Sequence, residues 1–314
     1  MKTFFKNKNI LITGGSGIIG TELILKLVGL GANVRCVDFA DLPEELAAAP
    51  IEFYKLDLSN PDAQFLFRYS PDYVFHLAAD FERSTESYEF WDSNFKNNVL
   101  ASRYTLEQIV KCESLKKIIF ASSYLIYDKN LYSSPTTQVT YLNEDSPINP
   151  RNLCGVAKLQ TEVDLRFLAE FKNFKVASAR IFRVYGRGSR DVVSRWVRSA
   201  LKGEAIEVFS SQNVFDYVYA GDVATGLLQL CQASTPDQVY NLGSGHPTKI
   251  SEIISWLQAN FPDLTINETT DEIFPEGSCA DMSRFHGTTG WSTPTTILHG
   301  LQLLVDYEQE KIHD

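Results

Sequence analysis

The sequence is short of basic residues. Lysine and arginine number 29 against 39 aspartates and glutamates, a formal net charge of −10. Gripping a phosphate backbone needs a basic surface, so nucleic acid is excluded as the chief partner, while one local basic pocket is not. Paired cysteines are lacking too: Cys36, Cys112, Cys154, Cys231 and Cys279 are scattered, with no CxxC pair and no Cys/His cluster. That excludes a disulfide framework and a metal site, and predicts reduced thiols in a cytoplasmic protein. No stretch approaches the ~18 apolar residues of a membrane span. The opening MKTFFKNKNILITGG has an apolar run too short for a signal segment and leads straight into a glycine loop. Internal repeats and low-complexity tracts are absent as well.

What is present suffices for a sizeable core: 314 residues, 44% hydrophobic and 22% charged, a globular balance. Short apolar runs occur at 10–13, 34–38, 53–56, 73–77, 118–121 and 176–181. Between most of them, apolar residues recur at helical spacing, as in Ile19, Leu23, Leu27 and Leu30. Fully apolar strands alternating with helices predict an α/β fold, a Rossmann-type doubly wound parallel sheet covered on both faces. After Arg183 the texture changes to arginine, glycine and turn residues (GRGSR, FPEGS, STPTT). The expected division is a dinucleotide-binding domain over 1–182, with the sheet revisited near 214–245 by a strand near Val239–Leu242, and a smaller, mainly substrate-binding lobe over 183–314.

Thr13-Gly14-Gly15-Ser16-Gly17-Ile18-Ile19-Gly20 follows the first strand and opens the first helix. Gly14 suits the tight turn, Gly17 the close approach of backbone N–H groups to a pyrophosphate, and Gly20 close helix–strand packing. An acid, Asp38, ends the next strand about 20 residues on, where it would accept from a ribose and repel a 2′-phosphate. NAD is therefore expected over NADP. Asp38 alone is weaker, because a carboxylate at a strand end needs no function.

With its Gly-x-x-Gly-x-x-Gly spacing and the landmarks that follow, the sequence resembles the extended short-chain dehydrogenase/reductases, and among them the NAD-dependent epimerase/dehydratase family acting on nucleotide sugars. The similarity runs from Lys8 to Trp291. Asp57-Leu58 is similar to the family's adenine-contacting pair, and His76-Leu77-Ala78-Ala79 to its fourth-strand motif beside the cofactor. Asn98 opens a segment like Asn-x-x-Gly-Thr, with Ala101-Ser102 in place of Gly-Thr. The stretch 121–127, ASSYLIY, resembles Ser-Ser-Ser-x-x-Val-Tyr, and 216–219, 222–224 and 241–245 match later motifs. The resemblance implies NAD held by Gly14, Gly17, Ile18, Ile19, Gly20, Asp38, Asp57, Leu58, Leu77, Ala78, Ala79 and Lys158. It also implies a nucleotide-diphosphate sugar as substrate, and a homodimer formed through helices containing 98–110 and 155–171. His76 and Asn98 read equally well as packed, hydrogen-bonded core residues, and Asp216 and Asp222 as backbone bridges.

In the family a Tyr-x-x-x-Lys pair on one helix face moves the proton, the lysine lowering the tyrosine pKa while a serine orients the substrate oxygen. The matching segment is Asn149-Pro150-Arg151-Asn152-Leu153-Cys154-Gly155-Val156-Ala157-Lys158, followed by Glu162. The lysine is in register, and the tyrosine position holds Cys154. Three readings stay open. Cys154 serves as acid–base, since a thiol near 8.5 already titrates below a phenol near ~10, with a water or shifted substrate filling the gap left by its shorter side chain. Alternatively, Tyr124 or Tyr127, beside Ser123, supplies the proton function. Or catalysis is lost and binding kept, leaving an inert thiol and an NAD-binding sensor or assembly protein. The expected catalytic set is Ser123, Cys154, Lys158 and Tyr124.

Dehydratases of the family carry carboxylic acids just after the serine or threonine, where this chain has Tyr124 and Leu125. Without that proton donor elimination is disfavoured. Oxidoreduction at a ring carbon, C4, is expected instead, by a 4-epimerase or a 4-dehydrogenase/ketoreductase. Two arginines that contact the diphosphate in the family are Phe215 and Phe274 here. Substrate binding is expected from Ser84, Ser123, Arg183, Arg187, Arg190 and Arg195, because guanidinium forks suit phosphate. A solvated basic helix face is the competing reading for each of these arginines.

Overall fold

The computed structural model describes residues 1–60, 70–81, 88–133, 138–234, 238–269 and 275–313. The large sheet is built from β1 (Asn9–Thr13), β2 (Asn33–Asp38), β3 (Ile51–Lys55), β4 (Tyr73–His76), β5 (Lys117–Ser123), β6 (Lys175–Ile181) and β7 (Gln238–Leu242). Their spatial order is β7-β6-β5-β4-β1-β2-β3, and all of these pairings are parallel. The order reverses between β1 and β4, and such a switch point opens a crevice beyond the carboxyl ends of the strands. Each predicted apolar run overlaps an observed strand.

Helices α1 (Ile18–Gly29), α2 (Ala101–Ile109), α3 (Leu153–Phe171), α4 (Val192–Leu201) and α5 (Ala220–Gln232) follow in chain order. Alternation along β1 explains why both faces of the sheet are covered. Ile10 and Ile12 join a core with Leu23 and Leu27 of α1 and Val223 and Leu227 of α5. Leu11 joins the opposite core with Leu106 of α2 and Leu165 of α3. The sheet is the predicted doubly wound α/β layer.

Beyond β6 a second core forms around Tyr185, Trp196, Val197, Tyr217, Leu257 and Leu301. Its three-stranded sheet pairs Val214–Tyr219 with Arg183–Tyr185 and with Pro247–Lys249. Among the described residues of 214–245, only β7 re-enters the large sheet, while α5 packs on its face. The return thus falls on the strand expected near 239–242.

Helix α3 matters most for the site. Asn152 starts it by accepting a hydrogen bond from the Gly155 N–H at 2.9 Å, an N-cap that satisfies one orphan donor. Cys154, Lys158 and Glu162, four residues apart, are all on its buried face. The Glu162 carboxylate accepts from Ser122 Oγ at 2.5 Å, and from Arg180 Nε and Nη2 at 3.1 and 2.9 Å. Both charges are buried, with side-chain exposures of 1% and 3%. The fork thus ties α3 to β5 and β6 at once. Arg180 also lies 4.9 Å over the Tyr127 ring, and Tyr127 donates to Asn241 Oδ1 at 2.6 Å on β7.

Removing one member of a buried ion pair leaves the other charge stranded. Arg180→Leu should lower stability by about 3–5 kcal/mol, measured by urea unfolding, and Glu162→Leu combined with it should restore most of the loss. A single variant costing under ~1 kcal/mol would mean that the pair does not anchor the helix.

Candidate active site

The residues singled out in the sequence gather along the carboxyl edge of the large sheet. At β1, Gly14 has φ 74°, and a Cβ there would sit 2.5 Å from the Ala78 nitrogen. Only glycine lets this turn lie against the Leu77–Ala79 segment. The Thr13 hydroxyl accepts from the Ala78 N–H at 3.3 Å, fixing that segment from below. Ile18 and Ile19 form the first turn of α1, and Gly20 backs onto Gly15 so closely that a Cβ would fall 2.6 Å from the Gly15 backbone.

At the end of β2, Asp38 accepts from the Ser16 N–H at 2.9 Å and the Ala40 N–H at 3.0 Å. It therefore braces the glycine loop from the neighbouring strand. Ser16 Oγ, at the heart of the loop, is buried with no hydrogen-bond partner among the described residues. A buried hydroxyl without a partner is costly, and a phosphate oxygen or ribose hydroxyl would satisfy it. The loop, the helix start and the acid thus fit a dinucleotide. Asp57 accepts from Ser59 and pairs with Lys96 at 2.8 Å, while Leu58 is buried in the core beneath. Asn98 lies in a π-wound turn, Phe95–Leu100, and holds the Asp80 backbone with both amide atoms, at 2.6 and 2.8 Å. It acts as the structural hydrogen-bonder that the sequence allowed.

At the end of β5, Ser123 caps a short turn, accepting from the Leu125 N–H at 3.2 Å. Lys158 reaches back from α3 to donate to Ala121 O at 2.6 Å, over the Phe120 ring at 4.9 Å. Burial pushes its ammonium below the ordinary lysine range, and the nearby Cys154 and Glu162 oppose that shift. Cys154 is only 2% exposed. Tyr124 is buried as well, stacked 5.1 Å from Phe182. Burial raises its phenol, with Arg183 and Arg151 pulling the other way. The thiol therefore shares its surroundings with Lys158, and the phenol shares its own with arginines. Helix and turn approach so closely here that a Cβ on Gly155 would lie 2.6 Å from Leu125 O.

On the substrate side the arginines part company. Arg187 donates through Nε to Glu22 of α1 at 3.0 Å, joining the second lobe to the cofactor-loop helix. Arg190 and Arg195 are exposed. Arg198 is held by Glu308 and the Ser189 carbonyl. Arg183 turns inward, its guanidinium 3.7 Å over the Phe215 ring and 5.9 Å from the Tyr124 ring. It shares Glu276 with Arg151, whose Nη1 donates at 2.8 Å. Sequence reasoning missed Arg151 and Glu276. Arg151 lay in plain view, three residues before Cys154, but its partner is 125 positions away. Ser84 and Phe274 lie outside the described residues. Asp216 accepts from Ser244, Gly245 and Ala280 and clamps that turn, and Asp222 accepts from the Thr295 N–H. Among the described residues no His/Cys/Asp/Glu group could hold a metal ion, and no helix is long and apolar enough to cross a membrane.

A sequence profile of the NAD dependent epimerase/dehydratase family matches residues 10–243. The dTDP-4-dehydro-6-deoxyglucose reductase of Escherichia coli is 25% identical over 317 residues, spanning 96% of this chain and 97% of the relative. Among solved structures, MoeE5 in complex with UDP-glucose and NAD is 25% identical, with a TM-score of 0.84 over 97% of this chain and 99% of its own. The UDP-glucose 4-epimerase of Thermotoga maritima, solved with UDP-glucose, is 26% identical, with a TM-score of 0.83 over the same shares, 97% and 99%.

His76 offers a direct test of this packing. It is fully buried between the Thr13 and Ser102 hydroxyls, at 2.7 and 3.0 Å. Burial, then the Lys158 charge, lowers its pKa from 6.5 to about 3. The fold therefore keeps a neutral imidazole, whereas the unfolded chain takes up a proton below its ordinary value. Stability from this residue is complete above pH 6.5 and is lost as pH falls toward about 3. Imidazole NMR should find His76 still neutral at pH 5, and a midpoint near 6.5 would contradict the burial.

Proposed function

The chain belongs to the NAD-dependent epimerase/dehydratase family, and from that premise we propose that it oxidises or reduces C4 of a nucleotide sugar. It would act as a 4-epimerase or 4-dehydrogenase/ketoreductase and not as a 4,6-dehydratase. The observation that carries this reading is that Ser123 ends β5 while Lys158 anchors on the Ala121 carbonyl of the same strand, at the sheet edge that also carries the glycine loop two strands away, with Tyr124 and Leu125 where elimination would need an acid. NAD is the cofactor. In this reading it is held by the Gly14–Gly20 turn with Ile18 and Ile19, by Asp38, Asp57 and Leu58, by Leu77, Ala78 and Ala79, and by Lys158. When bound, the nicotinamide accepts or returns a hydride.

The chain's own groups do the rest. Ser123 orients the substrate hydroxyl, and Lys158 holds a positive charge beside the oxygen from which the proton leaves. Of the three proton carriers left open by the sequence, Cys154 is the one proposed, since Tyr127 already donates to Asn241 Oδ1 at 2.6 Å. Its thiol interacts with the Lys158 charge, whereas the Tyr124 phenol is raised by burial and faces Arg183. Because a thiol side chain is short, the proton would pass through one water. Ser84, Ser123 and Arg183 are proposed to line the sugar, with Arg187, Arg190 and Arg195 at the mouth of the cleft. Residues 1–182 would bind the dinucleotide and 183–314 mainly the sugar nucleotide, in a cytoplasmic setting.

One observation favours a second reading. Cys154 is nearly inaccessible at 2% exposure, as befits a space-filling thiol in an NAD-binding sensor. Mixing the native protein with UDP-, GDP-, dTDP- and CDP-sugars and quenching during turnover separates the two, since an epimerase holds part of its NAD transiently as NADH, a dehydrogenase/ketoreductase changes it net, and a sensor does neither. Cys154→Ala should then lower turnover about 100-fold and leave NAD content unchanged. Unaltered turnover in Cys154→Ala, with loss in Tyr124→Phe, would move the proton role to the phenol.

A homodimer is also proposed. The outer face of α3 exposes Val156, Val163, Phe167 and Phe171, the last two rings tilted together with centroids 4.9 Å apart. Trp91 and Phe95, from the helical run leading into α2, are exposed too. An apolar stripe of this size marks an interface. Sedimentation should find a dimer for the wild type and a monomer for Phe167→Glu combined with Phe171→Glu; a monomeric wild type would refute the pairing.

A further inference from the structure

Arg151 and Arg183 share one carboxylate, Glu276, so among the described residues the cluster keeps one positive charge in excess. The side chains are only 35%, 31% and 11% exposed, and an uncompensated charge at that depth favours an anion. Two further observations point to a ligand. The Tyr132 and Tyr217 hydroxyls and Arg183 Nε are buried with no hydrogen-bond partner among the described residues. The two tyrosines are 2% and 4% exposed, so water does not relieve them. Both lie within electrostatic reach of Glu276, Tyr132 beside Arg151 and Tyr217 beside Arg183. Glu276 is also loosely held on one side. Arg183 Nη2 is 3.4 Å from each of its oxygens, longer than a charge-assisted bond of about 2.7–2.9 Å. Stacking on Phe215 at 3.7 Å fixes the guanidinium plane, which leaves its edge ready for a planar or tetrahedral acceptor.

We infer that Arg151, Arg183 and the Tyr132 and Tyr217 hydroxyls form an oxyanion subsite whose resting occupant is the Glu276 carboxylate. This deepens the nucleotide-sugar reading and rests on it for the identity of the natural ligand. The subsite adjoins the reacting end of the cleft, because Tyr124 follows Ser123 directly and Arg151 immediately precedes the cap of α3. The incoming oxyanion displaces Glu276 and takes its hydrogen bonds. It comes either from the diphosphate or from a carboxylate on the sugar ring.

Inorganic pyrophosphate tests the site without any sugar. In Glu276→Gln the two arginines lose their internal carboxylate, so pyrophosphate should raise Tm by about 3 °C over sodium chloride of equal ionic strength. The wild type should respond less, and Glu276→Gln combined with Arg183→Met not at all. Arg151→Met, at a more exposed position, serves as the second charge-removing variant if Arg183→Met fails to fold. An equal response in the wild type and all variants would overturn the subsite, even if the nucleotide-sugar reading stands. A positive pyrophosphate response with no binding of UDP-glucose or dTDP-glucose would uphold the subsite and refute that reading instead. Titrations of the full chain with UDP, UDP-glucose and UDP-glucuronate then assign the source. A loss of about tenfold for all three in Arg183→Met identifies the diphosphate, and a loss confined to UDP-glucuronate identifies the sugar carboxylate.

Discussion

The Glu162–Arg180 fork is the constraint on which the site depends. One carboxylate on α3 receives Ser122 from β5 and Arg180 from β6, so a helix and two strands meet at a single point. Lys158 lies one helical turn earlier on the same face and Cys154 a turn before that. Rotating or sliding α3 would break the fork before it moved the lysine. Such a pair is a weak source of net stability, because desolvation offsets most of the attraction. Its value lies in geometry: only one register of α3 on the sheet satisfies every polar group. Through Tyr127 and Asn241 the same network reaches β7, which links the reacting end of the sheet to its far edge.

The arginine-rich stretch after β6 has a similar logic. Arg180, Arg187 and Arg198 are each neutralised by a glutamate from a different part of the chain. They behave as clasps between layers. Arg183 differs because it shares its glutamate with a second arginine. An acidic protein therefore keeps a small positive site beside the residues that would do the chemistry, which explains how a net charge of −10 coexists with an anionic substrate.

Much of this was legible in the chain. The glycine turn and Asp38 are local features, fixed by strand–turn–helix spacing, and they meet where that spacing says they should. The same holds for Cys154 and Lys158, whose relation depends only on helical periodicity. The long-range pairs were not legible. Arg187, a guanidinium on a loop, has no visible partner in the sequence, and the glutamate it pairs with, Glu22, is 165 positions away in the cofactor helix. Arg151 and Glu276 likewise meet across 125 positions. The strand expected at 239–242 does return to the large sheet, whereas Val214–Tyr219, inside the same broad 214–245 span, pairs within the second lobe. An apolar run declares a strand, yet not which sheet accepts it.

The chain is proposed to move hydride from a ring carbon although cysteine occupies the position one helical turn before Lys158. Deuterium at C4 of UDP-glucose or dTDP-glucose follows that step directly. After mixing with the native protein and acid quenching during turnover, mass spectrometry of the released cofactor should find the label on the nicotinamide. A label that stays wholly on a sugar nucleotide shown to be bound would contradict the account.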